Sequence, residues 1–421
     1  MGTGRFSTSA SRTFGDDSVS TGPLSGLQVI ELAHIMAGPV CGLMLADLGA
    51  EVIKVERAPD GDPSRTFVPP EQGGESAAFM MLNRNKRGIA VDLKAPEGRQ
   101  IVRRLVRDSD VVIENFRAGT MERLGLAYET LQADNSGLIL CEISGFGRTG
   151  PYADVGGFDL IAQGYSGLMS ITGEGPDRAP LKCGAPVTDV TAGILGALGV
   201  MAAIIERNRT GQGQRVDTSL YEAGITQTFW HAAIAMATGV SPGPLGTAHP
   251  LSAPYEAFRT ADGWITIGAS NEATWRRLAP ALERPHLLED PRFRTNADRL
   301  QHRVALAHVL EQILALRPTD HWVQHLTDAG VPAGPVASIA DMLAHPQTAA
   351  REMVPSVHHA GVGVMRTLGC PIKLSNSPTG VRRAAPVLGQ HTREVLGRAG
   401  YDDARIGALA AAGIIVVSER G

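Results

Sequence analysis

The chain has 421 residues, 43% of them hydrophobic and 19% charged, a composition that excludes disorder of the whole chain and suits two or three structural units. Lys and Arg number 39 against 43 Asp and Glu, a formal net charge of -4, which argues against a nucleic-acid protein with a basic face. Gly reaches 49 residues without a G-X-Y period, so a collagen-like chain is excluded and many tight turns are expected.

Residues 1–22 are rich in Ser, Thr and Gly. They read as a disordered tail without the apolar core of a signal peptide. Leu27–Leu32 then reads as a strand, Pro39–Leu48 as a helix with Pro in its first turn, and Glu51–Glu56 as a second strand. This strand–helix–strand unit opens a parallel sheet. Further strands are expected at Gly88–Leu93, Val111–Glu114 and Leu138–Ile143, with a helix over Pro96–Asp108. The alternation predicts a doubly wound, Rossmann-like α/β domain.

A long helix is expected over Thr191–Asn208, and a short strand and another helix over Val216–Ala237. Its apolar run, Ala192–Ile205, is shorter than the ~20 residues a membrane span needs. It therefore reads as a buried helix, with no membrane partner. Val240–Gly246 is a Pro/Gly-rich break. Beyond it lie a strand at Trp264–Gly268 and amphipathic helices at Trp275–Leu282 and Val304–Leu316. These readings give a small α+β domain over 246–330. The large domain takes 23–245 and 331–421, with helices at Thr392–Gly400 and Asp402–Ala412.

Several sites carry two readings. The first strand–helix turn, Ala33–Pro39, lacks G-x-G-x-x-G, so a nicotinamide cofactor is not expected. Asn83–Gly88 concentrates three cations, as solvated surface or as a phosphate-binding cluster at a strand end. Asp189 stands just before the apolar helix, where it serves as a cap or as a carboxylate held ionised by the helix dipole. Free N–H groups there suit an oxyanion. Asp159 offers a second acid. No His lies between His34 and His231, so no local Asp/His pair is available. Neither a metal-binding spacing nor a G-x-S-x-G elbow occurs. The scattered Cys41, Cys141, Cys183 and Cys370 fit a reducing cytoplasm and give neither a disulfide framework nor a zinc site.

The chain resembles the class III CoA-transferases, also called the CaiB/BaiF family. The markers are Pro23-Leu-Ser-Gly-Leu, Ala37-Gly-Pro, Leu48–Arg57, Asn85-Lys-Arg, Glu114-Asn-Phe116, Gly145-Phe-Gly, Asp189, Thr210-Gly-Gln-Gly-Gln, Gly330–Pro335 and Leu388–Thr392. The resemblance implies a homodimer of interlocked rings, acyl-CoA and carboxylic acid substrates, and no metal. It places the nucleophile on Asp189 and an acidic active-site position on Asp159. It places the CoA site on Ile35, Ala37, Arg57, Val91, Lys94, Asn115, Phe116 and Arg123. Gly246–Pro250, with His249, is the candidate cover over the reacting groups, chosen for its expected flexibility. The Gly246 and Ala253–Phe258 segments look most like the branch that uses succinyl-CoA with short dicarboxylates. The alternative is α-proton transfer by the racemase branch, for which His34 is the remaining histidine.

Overall fold

A computed structural model describes residues 22–419. The expected tail lies outside these residues except for Gly22. The described chain divides into two compact units. One holds the residues up to 142 with 193–216 and those from 355 onward; the other holds 143–192 and 217–354. The segment 246–330 thus lies in the second unit, which also takes in 143–192, 217–245 and 331–354, all expected in the large domain.

In the first unit, β1 (Gln28–Glu31), α1 (Ala37–Asp47) and β2 (Glu51–Arg57) form the expected opening. They are followed by β3 (Lys86–Val91), α2 (Pro96–Arg107), β4 (Val111–Glu114) and β5 (Ile139–Ser144). In the second unit α3 spans Asp159–Tyr165. Helix α4 spans Val187–Thr210, β6 Arg215–Ser219, α5 Leu220–Thr226 and α6 Phe229–Thr238. Then come β7 (Tyr255–Arg259), β8 (Trp264–Gly268), α7 (Glu272–Ala281), α8 (Arg303–Leu314), α9 (Thr319–Asp328) and β9 (Ala333–Pro335). Helix α10 (Thr392–Arg398) and β10 (Ile415–Val416) belong to the end of the chain.

The main sheet has seven strands in the order β10-β3-β2-β1-β4-β5-β6. Strands β3, β2, β1, β4 and β5 pair in parallel, and β10 joins β3 antiparallel at the edge. Continuous apolar runs such as Val111-Val-Ile113 suit strands covered on both faces. Ile30, Ile53, Ile89, Val112 and Leu140 pack with Ile101 and Leu105 of α2 and Leu396 of α10. The chain builds outward from β1 through β2 and β3, then crosses to β4 and β5. The order therefore reverses between β1 and β4, and the crevice beyond their carboxyl ends is where such sheets bind ligands.

The second unit carries a three-stranded antiparallel sheet, β9-β8-β7. Phe258, Ile265, Ile267, Trp275, Leu278, Leu310, Trp322 and Leu326 form its own core. Val331 also belongs to this core and β9 closes the sheet at Ala333–Pro335, so the core runs past the expected boundary at 330.

Helix α4 corrects two expectations. It begins four residues before the expected Thr191, immediately after Pro186, and Val190 N–H donates to the Pro186 carbonyl at 3.1 Å. It has 24 residues, and an 18-residue stretch of it has a mean hydropathy of 1.8, which reaches the length and composition of a membrane span. It is also not fully buried: Leu198 and Ile205 are 64% and 69% exposed in the single chain.

Candidate active site

The β1–α1 turn bears the first CoA candidates. His34 and Asn115 join the ends of β1 and β4: His34 N–H donates to Asn115 Oδ1, and Asn115 Nδ2 donates to the His34 carbonyl, both at 2.8 Å. The His34 ring meets Phe116 edge-on at 5.2 Å. Burial, then the nearby Lys54 ammonium, pushes the His34 imidazole below its ordinary value. Ile35 sits at φ +64, a left-handed conformation that a β-branched residue adopts only under constraint. The constraint is Asp62, whose two carboxylate oxygens accept the Ile35 N–H at 3.2 Å each. Asp62 also accepts Ser64 N–H and Oγ and pairs with Lys54 at 2.8 Å. These contacts hold its carboxyl well below the usual range against the opposing effect of burial. Sequence reasoning missed Asp62; the non-glycine left-handed turn that needs it has no local sequence signature.

The other candidates surround the same carboxyl edge of the sheet. Ala37 opens α1, Val91 ends β3, and Arg57 ends β2 in an exposed pair with Asp60 at 2.8 Å. Lys94 is exposed, and Arg123 Nη2 donates to Thr120 Oγ1 at 2.8 Å.

The cation run does not follow either of its two readings. Arg84, Lys86 and Arg87 are buried. Arg84 pairs with Asp47 at 2.6 Å, Lys86 with Glu31 at 2.8 Å, and Arg87 with Glu51 at 3.1 Å and with Glu394. Their positive charge is consumed internally, so the run is neither solvated surface nor a phosphate cluster. Lys54 also reaches Glu31 at 3.0 Å, so two lysines share one buried carboxylate. Burial leads in pushing Lys86 down to about 8, although Glu31 opposes it.

A cavity of about 230 Å³ lies elsewhere in this unit, between Gln28, Glu51, Arg104 and Arg398. Gln28 and Glu51 are the first residues of their strands, so the cavity sits at the amino edge, away from the CoA candidates.

The second unit brings Asp159 and Asp189 together. Asp189 lies in the first turn of α4 and is partly buried. Asp159 opens α3. Its Oδ1 accepts Thr188 N–H at 3.0 Å and Thr188 Oγ1 at 2.7 Å; its Oδ2 accepts Gln163 Nε2 at 2.7 Å. Gln163 Oε1 in turn accepts Cys183 N–H at 2.9 Å. The helix start beside Asp189 is thus tied to α3, and one carboxylate of the two is engaged. Burial, then the charge of Asp159, pushes Asp189 up to about 7. This reverses the expected direction: those two influences outweigh a helix dipole, whose effect at such a site is ~0.3–1 kcal/mol. Close packing supports the arrangement. A Cβ on Gly224 of α5 would stand 2.4 Å from Ser166 Oγ and 3.3 Å from Thr188 Cγ2.

The 246–250 loop is stitched down rather than loose. Gly246 N–H donates to the Gly173 carbonyl at 2.9 Å and His249 N–H to the Tyr255 carbonyl at 3.0 Å. Thr247 Oγ1 accepts Ala257 N–H at 2.9 Å, and the His249 ring packs at 5.2 Å from Tyr255 and 6.3 Å from Trp230.

Comparison with known proteins gives the chemistry a class. A succinate–glutarate CoA-transferase from Agrobacterium fabrum is 42% identical over 381 residues, covering 89% of this chain and 95% of that one. A succinyl-CoA–D-citramalate CoA-transferase from Chloroflexus aurantiacus is 40% identical, covering 89% and 93%. The crystal structure of a CaiB/BaiF family protein from Brucella suis superposes with a TM-score of 0.81 at 41% identity, covering 90% of this chain and all of that one. The model of CoA-transferase family III matches residues 24–392, and the chain is an enzyme that belongs to that family.

Proposed function

We propose that the enzyme moves CoA from succinyl-CoA, or a similar acyl-CoA, to a short dicarboxylic acid, with Asp189 as the covalent carrier. The observation that carries this reading is the contrast between the two acids. Asp159 is spent on Thr188 and Gln163, whereas Asp189 is partly buried and raised to about 7. A more basic carboxylate is a stronger nucleophile once deprotonated. Two relatives whose names pair succinyl-CoA or succinate with another dicarboxylate support the substrate choice.

Asp189 attacks the thioester carbonyl, the C–S bond breaks, and CoA leaves as thiolate. The product is a mixed anhydride. The thiolate attacks the aspartyl carbonyl, releases the first acid as carboxylate and leaves a thioester on Asp189. The acceptor carboxylate attacks that thioester and expels CoA as thiolate, leaving a second mixed anhydride. The thiolate then attacks the acceptor's acyl carbonyl, forms the new acyl-CoA and frees the Asp189 carboxylate. Each addition creates an oxyanion, for which N–H groups at the start of α4 are suited donors. Water must be excluded from the anhydride. CoA is assigned to the carboxyl edge of the parallel sheet, with Ile35, Ala37, Arg57, Val91, Lys94, Asn115, Phe116 and Arg123 as contacts.

The working unit in this reading is a homodimer of interlocked rings. Its support is α6, a largely apolar helix with no buried residue in the single chain, where Phe229 is 74% and Met236 87% exposed. Soluble monomers rarely leave so much contiguous apolar surface bare. Light scattering that returned a stable monomer would remove this assignment.

The decisive experiment mixes enzyme with succinyl-CoA, quenches with hydroxylamine and maps the modified peptide by mass spectrometry. An adduct on Asp189 is expected. Solvent deuterium entering the α-carbon, without exchange of CoA between acids, would instead select racemisation.

A further inference from the structure

We propose that Lys182 receives the distal carboxylate of the dicarboxylic acyl group and so sets the enzyme's preference for dicarboxylates; this rests on the transfer reading above. An acyl-CoA of a dicarboxylic acid brings a second negative charge toward a site that already holds Asp159 and Asp189. That approach is unfavourable unless a cation offsets it. The stretch 143–192 contains three cations, Arg148, Arg178 and Lys182. Arg178 faces Glu174 at 3.7 Å, and Arg148 has interactions of its own.

Lys182 differs from both. Its ammonium donates to two neutral acceptors, the carbonyls of Cys183 at 3.0 Å and Gly184 at 3.4 Å, and the side chain is exposed. An ammonium has three donors, so one remains for a ligand and the positive charge is not cancelled by these carbonyls. The segment is also anchored to the site. Cys183 N–H binds Gln163 Oε1, Gln163 binds Asp159, and Asp159 binds Thr188, the neighbour of Asp189. This chain of hydrogen bonds holds the residue that follows Lys182 to the Asp159–Thr188 cluster, and the ammonium is assigned to the far carboxylate of the acyl group rather than to the reacting carboxyl.

The test compares succinyl-CoA with butyryl-CoA as donors for the wild type, Lys182→Met and Lys182→Arg, with one acceptor throughout. In Lys182→Met, kcat/KM for succinyl-CoA should fall about 10- to 100-fold further than that for butyryl-CoA, mostly through KM. Lys182→Arg should restore much of the preference. An equal loss on both donors, or an unchanged preference in Lys182→Met, overturns the assignment while leaving the transfer reading intact. A wild type with no preference for succinyl-CoA overturns the dicarboxylate reading and the assignment together.

Discussion

The carboxylate of Asp62 holds the backbone of Ile35 in a left-handed turn, with both oxygens 3.2 Å from the same N–H. Asp62→Ala should release that turn and leave Lys54 short of one buried partner. Loss of one member of a buried ion pair typically costs ~3–5 kcal/mol, so a clear drop in the denaturation midpoint is expected. Asp62→Asn keeps an acceptor for Ile35 and should fold better than Asp62→Ala. Calorimetric titration should show weaker CoA binding in the alanine variant; unchanged affinity would separate this turn from the CoA site.

Asp189→Asn should abolish CoA transfer and leave CoA binding within a few-fold of the wild type. It removes the nucleophile while preserving shape and most of the hydrogen-bonding capacity. Residual transfer above a hundredth of the wild-type rate would point to a different carrier.

The pH dependence follows from the raised carboxyl of Asp189, at about 7. Transfer needs its ionised form, so kcat/KM for the donor should rise with pH through a midpoint near 7. Asp159→Asn removes the like charge and should move that midpoint downward. For stability the sign is the opposite. Folded Asp189 keeps its proton at pH values where the unfolded chain has lost it, so its contribution is complete below pH ~4 and disappears as pH rises through about 7. Asp189→Asn should therefore stabilise the protein at pH 8, by about 2 kcal/mol once solvent screening is allowed for, and hardly at all at pH 4. Thermal melts at the two pH values would reveal equal shifts if Asp189 did not titrate abnormally.

Glu31 faces both Lys54 and Lys86 at 0% exposure. Glu31→Gln leaves two buried ammonium groups without their shared anion. A loss of roughly 3 kcal/mol or more is expected, together with proton release from one lysine. Urea denaturation should show this as a lower midpoint at pH 7 that recovers partly at pH 10; pH-independent loss would contradict it.

The parallel strands were legible because Val29-Ile30 and Val111-Val-Ile113 are β-branched apolar cores of four-residue strands that end on a glutamate. Asp189 and Asp159 stood out by their places along the chain, and the family resemblance supplied their roles. Their electrostatics did not stand out, since burial depends on parts of the chain far away in sequence. The start of α4 was hidden for a local reason. Thr188, Asp189 and Thr191 favour caps over helix interiors, and Pro186 rather than a polar side chain precedes the first turn. The buried cations were hidden for a long-range reason. Arg87 finds Glu394 307 residues away, and a charge run carries no mark of where its partners lie.

The inward-facing cations also constrain how the sequence can drift. Replacing Arg84 alone leaves the buried Asp47 carboxylate with the Asn85 amide as its remaining hydrogen bond, and replacing Asp47 alone leaves the Arg84 guanidinium with only the Met81 carbonyl, so each single step weakens the fold. Related proteins that differ here should have exchanged both members together, or put an apolar pair in their place, and paired substitution at 47 and 84 is the signature to look for.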